Sequence, residues 1–330
     1  MNRPNNKPKQ RLGITIPFPG QLHQQRPLIE ELQTLGYTDA WTGESDAFDG
    51  LTPLALASTW APQLRLGTAI LPVYTRGPAL LAQSAATMAS AAPGRFVLGI
   101  GTSSNVIVNR WNATDFDQPY MRVRDTIRFL REAFSGEKVT NDYETFSIKG
   151  FRLGVKAPEP VPIYLAALRE QMLRLAAREA DGVITNWISP ADARGINQIV
   201  TTENPNTELV SRLFVIPTAN REEALRIARF LLAAYINVDV YKAFHIWLGR
   251  GDALAEHWAQ WDAGDRKGSL NKIPESVIDD LLIHGSVEQC RAKIEAYQKS
   301  GVHCPVLMIL PTEGQDHFEV VRALGQNPPS

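Results

Sequence analysis

Five short stretches of this chain bring small donors, an amide or a carboxylate to the ends of apolar runs. The most suggestive is Gly101-Thr102-Ser103-Ser104-Asn105, which follows the nearly all-apolar Phe96–Ile100. Its backbone N–H groups and hydroxyls suit an anionic or carbonyl-bearing ligand. Glu44 and Ser45 follow the run 37–42, and Ala69, Ile70 and Leu71 form the bend that ends the run 64–71. Ala167, Leu168, Arg169 and Glu170 follow 162–166, and Asn186 with Trp187 ends 183–187. Each has a plainer use. A lone Glu44 can be an N-cap or an exposed loop carboxylate, Asn186 can satisfy loop backbone groups, and Trp187 can be core or rim. These residues gain joint meaning only if the fold gathers them on one face.

Other site chemistries fit poorly. Gly99-Ile100-Gly101-Thr102-Ser103-Ser104 begins like a dinucleotide fingerprint, but serine stands at the third glycine position and no strong helix start follows. Gly101-Thr102-Ser103-Ser104-Asn105 has asparagine where a hydrolase elbow needs its last glycine. The six histidines show no ligand spacing, and there is no P-loop, so a metal or nucleotide-triphosphate enzyme is not expected.

The elements that must position these stretches alternate regularly. Apolar runs at 12–18, 37–42, 64–71, 94–100, 162–166, 183–187, 213–217 and 305–310 read as strands. Helical patterns lie between them, including 27–35 stopped by Gly36, an alanine-rich 78–91, and 123–134 with Val123, Ile127, Leu130 and Phe134 on one face. Arg124, Arg128 and Arg131 on the last of these read as a solvated face before they read as a phosphate patch. Residues 136–160 form an excursion of short strands or loop. Ser286 and Gln289 make a capping box for a helix ending at Gly301.

Eight strands in βα order predict an α/β fold, a (β/α)8 TIM barrel over 11–330 as one domain. A helical insertion at about 221–283, before the last strand, carries Tyr235, Tyr241, Phe244, Trp247, Trp258 and Trp261. It reads as a lid, a subunit contact or a small core of its own. In such a barrel, chemistry belongs at the carboxyl ends of the strands.

Composition sets the outer bounds. The chain has 330 residues, 44% hydrophobic and 21% charged, with a net charge of −1, so nothing points to nucleic acid or an anionic membrane. Cys290 and Cys304 stand in no metal or redox spacing, which makes a reduced, cytoplasmic setting the expectation. No run is long enough to span a membrane. The first ten residues, polar and rich in Pro and Asn, lack the apolar segment of a signal peptide and read as a disordered tail.

GRFVLGIGTSS, LRLGTAILPVYTRGP and VPIYLAALREQMLRLAAREADGVITNW together resemble the bacterial luciferase-like monooxygenase superfamily, closest to its coenzyme F420 branch. The likeness runs from about Leu12 to Pro311. It implies a deazaflavin or flavin ring over the bulge after strand three, here Ala69, Ile70 and Leu71, where a non-prolyl cis peptide often occurs. The phosphate-bearing tail would lie on Thr102, Ser103 and Ser104 and on Ala167, Leu168, Arg169 and Glu170, with Asn186 beside the cofactor. Relatives often carry a histidine and a glutamate as proton donors where this chain has Ser45 and Ser104. The resemblance therefore implies hydride transfer between F420 and a small or medium organic substrate, with Glu44 and Ser45 acting on the substrate and Trp41 and Trp187 walling the pocket. A homodimer is implied. Two rivals stand beside this reading: an FMN-dependent two-component monooxygenase served by a separate reductase, and a non-catalytic cofactor-binding barrel.

Overall fold

The computed structural model describes residues 11–327, so the expected disordered tail over 1–10 lies outside the described residues. Eight strands form the framework: β1 (Gly13–Thr15), β2 (Asp39–Thr42), β3 (Arg65–Thr68), β4 (Phe96–Gly101), β5 (Ile163–Ala166), β6 (Gly182–Asn186), β7 (Glu208–Ile216) and β8 (Cys304–Ile309). Each pairs in parallel with the next, and β8 returns to β1 through Gly13↔Val306 and Ile14↔Leu307, so the sheet closes. This is the expected (β/α)8 barrel, with its helices outside.

Two strands differ from their sequence reading. β7 begins at Glu208, five residues before the expected start at 213. β3 stops at Thr68, and Leu71–Pro72 pairs separately with Ile100 and Gly101 of β4. Between these pieces the Ala69–Ile70 peptide is cis. The break is held by Thr68, whose hydroxyl accepts from Gly99 N at 2.8 Å and donates to Gly99 O at 2.8 Å. A Cβ on Gly99 would stand 1.7 Å from Thr68 O, so only glycine lets the two strands close there.

The barrel interior is filled by two large rings. Trp41 and Tyr164, each 1% exposed, meet with centroids 6.1 Å apart. They fit because neighbouring strands present glycine: a Cβ on Gly67 would lie 2.3 Å from the Trp41 ring, and one on Gly182 2.6 Å from Tyr164. Val97, Ile184, Val210, Cys304 and Val306 complete this layer at the density of a packed core.

Below it, the amino-terminal end is closed by charge. Arg11 pairs with Asp39 and Glu208, while Arg65 reaches Glu208 at 3.1 Å and donates to the Tyr164 hydroxyl at 2.9 Å. That hydroxyl in turn donates to Glu208 at 2.5 Å. Burial alone would raise the Glu208 carboxyl, but Arg11, Tyr164 and Arg65 outweigh it and bring the pKa down to about 2.

Outside the barrel, the arginine face of the helix Pro119–Phe134 is tied to neighbours rather than offered to phosphate. Arg124 pairs with Asp125 and Glu144, Arg128 with Glu179, and Arg131 with Asp181. The excursion after it is a hairpin, Val139–Asp142 with Ser147–Phe151. Ser286 and Gln289 form the expected capping box on the helix Val287–Lys299.

The insertion comprises helices Arg221–Ile236, Asp239–Trp247, Gly251–Asp262, Arg266–Leu270 and Glu275–Leu281, then Ile283–His284 alongside the end of β7. Its apolar faces make a core of their own with Phe214, Ile216 and Trp187. No helix among the described residues is long and apolar enough to cross a membrane.

Candidate active site

The carboxyl ends of β2 to β7 converge at one mouth, and the structure brings most of the expected residues there. After β4, Thr102, Ser103 and Ser104 are half-buried, and Ser103 takes a left-handed φ of 61°. Their hydroxyls make only weak local contacts, 3.4 Å from Thr102 to Ser103 O and 3.5 Å from Ile107 N to Ser104. A short π-helical segment, Val106–Trp111, follows. Such segments recur at functional sites.

Next to this turn, β5 leads through buried Ala167 and half-buried Leu168 into the helix Glu170–Glu179. Its N-cap is Arg169, and no side chain caps its first N–H groups. These donors and the helix dipole favour an anion. Glu170, which could repel one, is turned along the helix to Arg174, 2.8 Å away.

The shelf between β3 and β4 is formed by Ala69 and Ile70, both partly exposed, with Leu71 buried beneath. Glycine keeps it open. A Cβ on Gly101 would meet Ile70 at 3.2 Å and Ala166 at 2.9 Å, and one on Gly43 would meet Ala69 O at 3.4 Å.

Three expected roles need correction. Glu44 is not a free acid: one oxygen pairs with Arg76, and the other accepts from Gly50 N at 2.9 Å. Its geometry is that of a loop anchor. Ser45 is exposed and donates to Asp46 at 2.9 Å, away from any converging set. Neither tryptophan walls the mouth. Trp41 belongs to the inner layer, and Trp187, 1% exposed, stacks on Phe214 at 3.9 Å within the core of the insertion. The left-handed φ of 54° at Trp187 is what turns the chain there.

Sequence reasoning missed the residue that crosses the mouth. Arg212 lies on β7, registered with Asn186 of β6 and Val306 of β8. Its side chain spans the axis, so that Nη1 is 3.5 Å from where a Gly43 Cβ would stand, beyond β8 and β1. Asn186 points into the same space, with Nδ2 and Oδ1 3.0 and 3.1 Å from the Tyr241 hydroxyl of the insertion. Burial raises the Tyr241 pKa, so the phenol keeps its proton. The missed signal is the alternation Glu208, Val210, Arg212, Phe214, which puts an arginine on the inward face of a strand.

Neither cysteine joins the site. Cys290 and Cys304 are free and buried, and burial pushes the Cys290 thiol up to about 12. Among the described residues there is no cluster of His, Cys, Asp and Glu that would hold a metal ion. A surface groove of about 500 Å3 lies outside the mouth, between the end of the helix Pro119–Phe134 and the hairpin, lined by Arg131, Lys138 and Asn141.

A barrel with a β3 shelf, a hydroxyl turn after β4 and an uncapped helix after β5 has relatives. The family profile of luciferase-like monooxygenases matches residues 7–304. The chain belongs to that family. It is 30% identical to the 5,10-methylenetetrahydromethanopterin reductase of Methanolobus tindarius, over 81% of this chain and 84% of the reductase. Among solved structures, the coenzyme F420-dependent tetrahydromethanopterin reductase of Methanopyrus kandleri superposes with a TM-score of 0.77 at 19% identity, covering 97% of this chain and 98% of that one. An F420-dependent secondary alcohol dehydrogenase, solved with an F420-acetone adduct, gives 0.74 at 15% identity, covering 96% and 99%. Those relatives are oxidoreductases, and the chain is an enzyme of the same family.

Proposed function

We propose that this enzyme binds coenzyme F420 at the barrel mouth and catalyses hydride transfer between it and a small or medium organic substrate. The observation that carries the reading is the shelf of Ala69 and Ile70, kept open by Gly101 and continuous with two adjacent anion-friendly turns. Gly101 and Ala166 end neighbouring strands, so Thr102–Ser104 and the helix start at Arg169 lie side by side. That is what a ring with a phosphate-bearing tail requires. The F420-dependent relatives support the same choice.

When bound, F420 supplies the hydride-carrying carbon of the deazaflavin ring. The chain supplies the rest. Ala69 and Ile70 would bear the ring, and the Trp41–Tyr164 layer beneath them would exclude water. Thr102, Ser103, Ser104 and Arg169 hold the tail by hydroxyl, backbone and guanidinium donors. The Tyr241 hydroxyl, kept protonated by burial, donates to Asn186 Oδ1 and so fixes the Asn186 amide beside the mouth. Glu44 and Arg76 brace the loop after β2 from outside the reacting centre.

The reading includes a cytoplasmic homodimer, and sedimentation velocity measures its oligomeric state. Equilibrium quenching of cofactor fluorescence tests the central claim, with F420 and FMN side by side. Micromolar or tighter F420 binding with little FMN binding supports it. Preference for FMN would move the enzyme to the flavin monooxygenases, with a separate reductase as partner, and binding of neither would overturn the cofactor site.

A further inference from the structure

Arg212 is unusual among the arginines inside this barrel. Arg11 and Arg65 each meet a carboxylate, whereas Arg212 has none within ion-pair distance among the described residues. Its one hydrogen bond there is from Nη2 to the Met308 thioether, a weak acceptor, at 3.3 Å. Its Nε is buried and has no partner. The Phe214 ring, 5.6 Å from the guanidinium carbon, steadies the side chain but takes none of its N–H groups. A guanidinium held at a barrel axis with its donors unspent is costly in the free protein. It is matched when a planar oxyanion arrives.

We infer that Arg212 is the binding site for a carboxylate on the substrate, and that the substrate class is therefore a carboxylic acid bearing the carbon to be reduced or oxidised. The inference rests on the reading of the mouth as the substrate site above F420. Three features fix the assignment. The guanidinium crosses from β7 to Gly43, beside the carbonyl of Ala69 that borders the ring shelf. Asn186 and Tyr241 stand next to it as neutral hydrogen-bonding groups, so the charge is not offset nearby. The guanidinium fork donates two parallel N–H bonds to the two oxygens of one carboxylate, which a neutral amide or ester cannot match.

The test measures dissociation constants for acetate, 2-oxobutyrate and benzoate against their amides, by calorimetry, on the free enzyme and on the F420 complex. Wild type and Arg212→Met and Arg212→Lys variants are compared, with thermal melts to verify folding. The expected result is at least tenfold preference for one or more carboxylates over the matching amide. Arg212→Met abolishes that preference, Arg212→Lys keeps part of it, and both leave the F420 dissociation constant within about threefold. Equal binding of acid and amide by wild type overturns the inference. So does a Met variant that keeps the preference, or one that loses reduced F420 while still selecting carboxylates, since the anion would then be the cofactor ring. If Arg212→Met does not fold, undiminished preference in Arg212→Lys also counts against a bidentate fork. Failure of F420 to bind would strike the cofactor reading alone, because acid–amide discrimination is read on the free enzyme as well.

Discussion

The two ends of the barrel handle buried charge in opposite ways. At the amino-terminal end, Arg11 and Arg65 are matched by Asp39 and Glu208, with the Tyr164 hydroxyl closing the network. At the carboxyl end, Arg212 sits near the axis with a thioether and an aromatic ring for company. Both are arginines on or beside inward-facing strand positions. The difference teaches where the fold spends charge on itself and where it leaves charge for something else. A satisfied network locks structure; an unsatisfied one waits for a ligand.

Breaking the lower network gives the largest loss of stability. Glu208→Gln leaves Arg11 and Arg65 short of an acceptor and is expected to cost about 1–2 kcal/mol in urea unfolding at pH 7, below the loss for a fully buried pair. The discount is needed because the Glu208 side chain is 35% exposed. F420 affinity stays as in wild type. Because the folded-state pKa is depressed from 4.5 to about 2, this contribution is fully present above pH 4.5 and is lost as pH falls towards 2. Unfolding free energies of wild type and Glu208→Gln therefore converge over that window, and a constant gap down to pH 2 would contradict the assignment.

The upper end responds to shape before charge. Gly101→Val puts side-chain atoms into the shelf against Ile70 and Ala166. It is expected to weaken F420 tenfold or more, about 1.4 kcal/mol, measured by fluorescence quenching. Retention of wild-type affinity would mean that the ring lies elsewhere. Arg212→Met sharpens the contrast with Glu208→Gln. Removing an unmatched, half-buried charge should leave the unfolding free energy unchanged or raise it by under about 1 kcal/mol. A loss of the size seen at Glu208 would show that Arg212 is structural after all. The smallest effect belongs to Ser104→Ala, where one hydroxyl donor to the cofactor tail is lost. A two- to fivefold rise in the F420 dissociation constant is expected, about 0.5–1 kcal/mol, with stability unchanged.

The barrel itself was legible because its strands are short apolar runs separated by helical periods, a local pattern. The positions of the turns after β4 and β5 were legible for the same reason, as strand ends, while their assignment to a phosphate-bearing tail came from the family resemblance. What escaped was set by contacts between distant residues. Glu44 reads as a free loop carboxylate until Arg76, 32 residues away, folds against it. Trp187 reads as a platform at a strand end, but a left-handed turn carries its ring under the insertion to Phe214. Ser211 and Arg212 interrupt the apolar character of β7, so the apolar run begins only at Leu213 and hides the inward arginine. The insertion was recognisable as helical, and its separate core emerges only from packing.

β7 carries Glu208 at the lower network, Arg212 at the mouth and Phe214 under the insertion, all on one face of one strand. The first two lie four positions apart, a span of roughly 13 Å. Adding or deleting a single residue between them would turn one of the two outward and reverse every side chain beyond. If Arg212 reads the substrate as inferred above, exchanging that residue changes specificity and leaves the strand intact, whereas a length change disturbs both ends at once. In that sense β7 works as a fixed ruler between the two ends of the barrel.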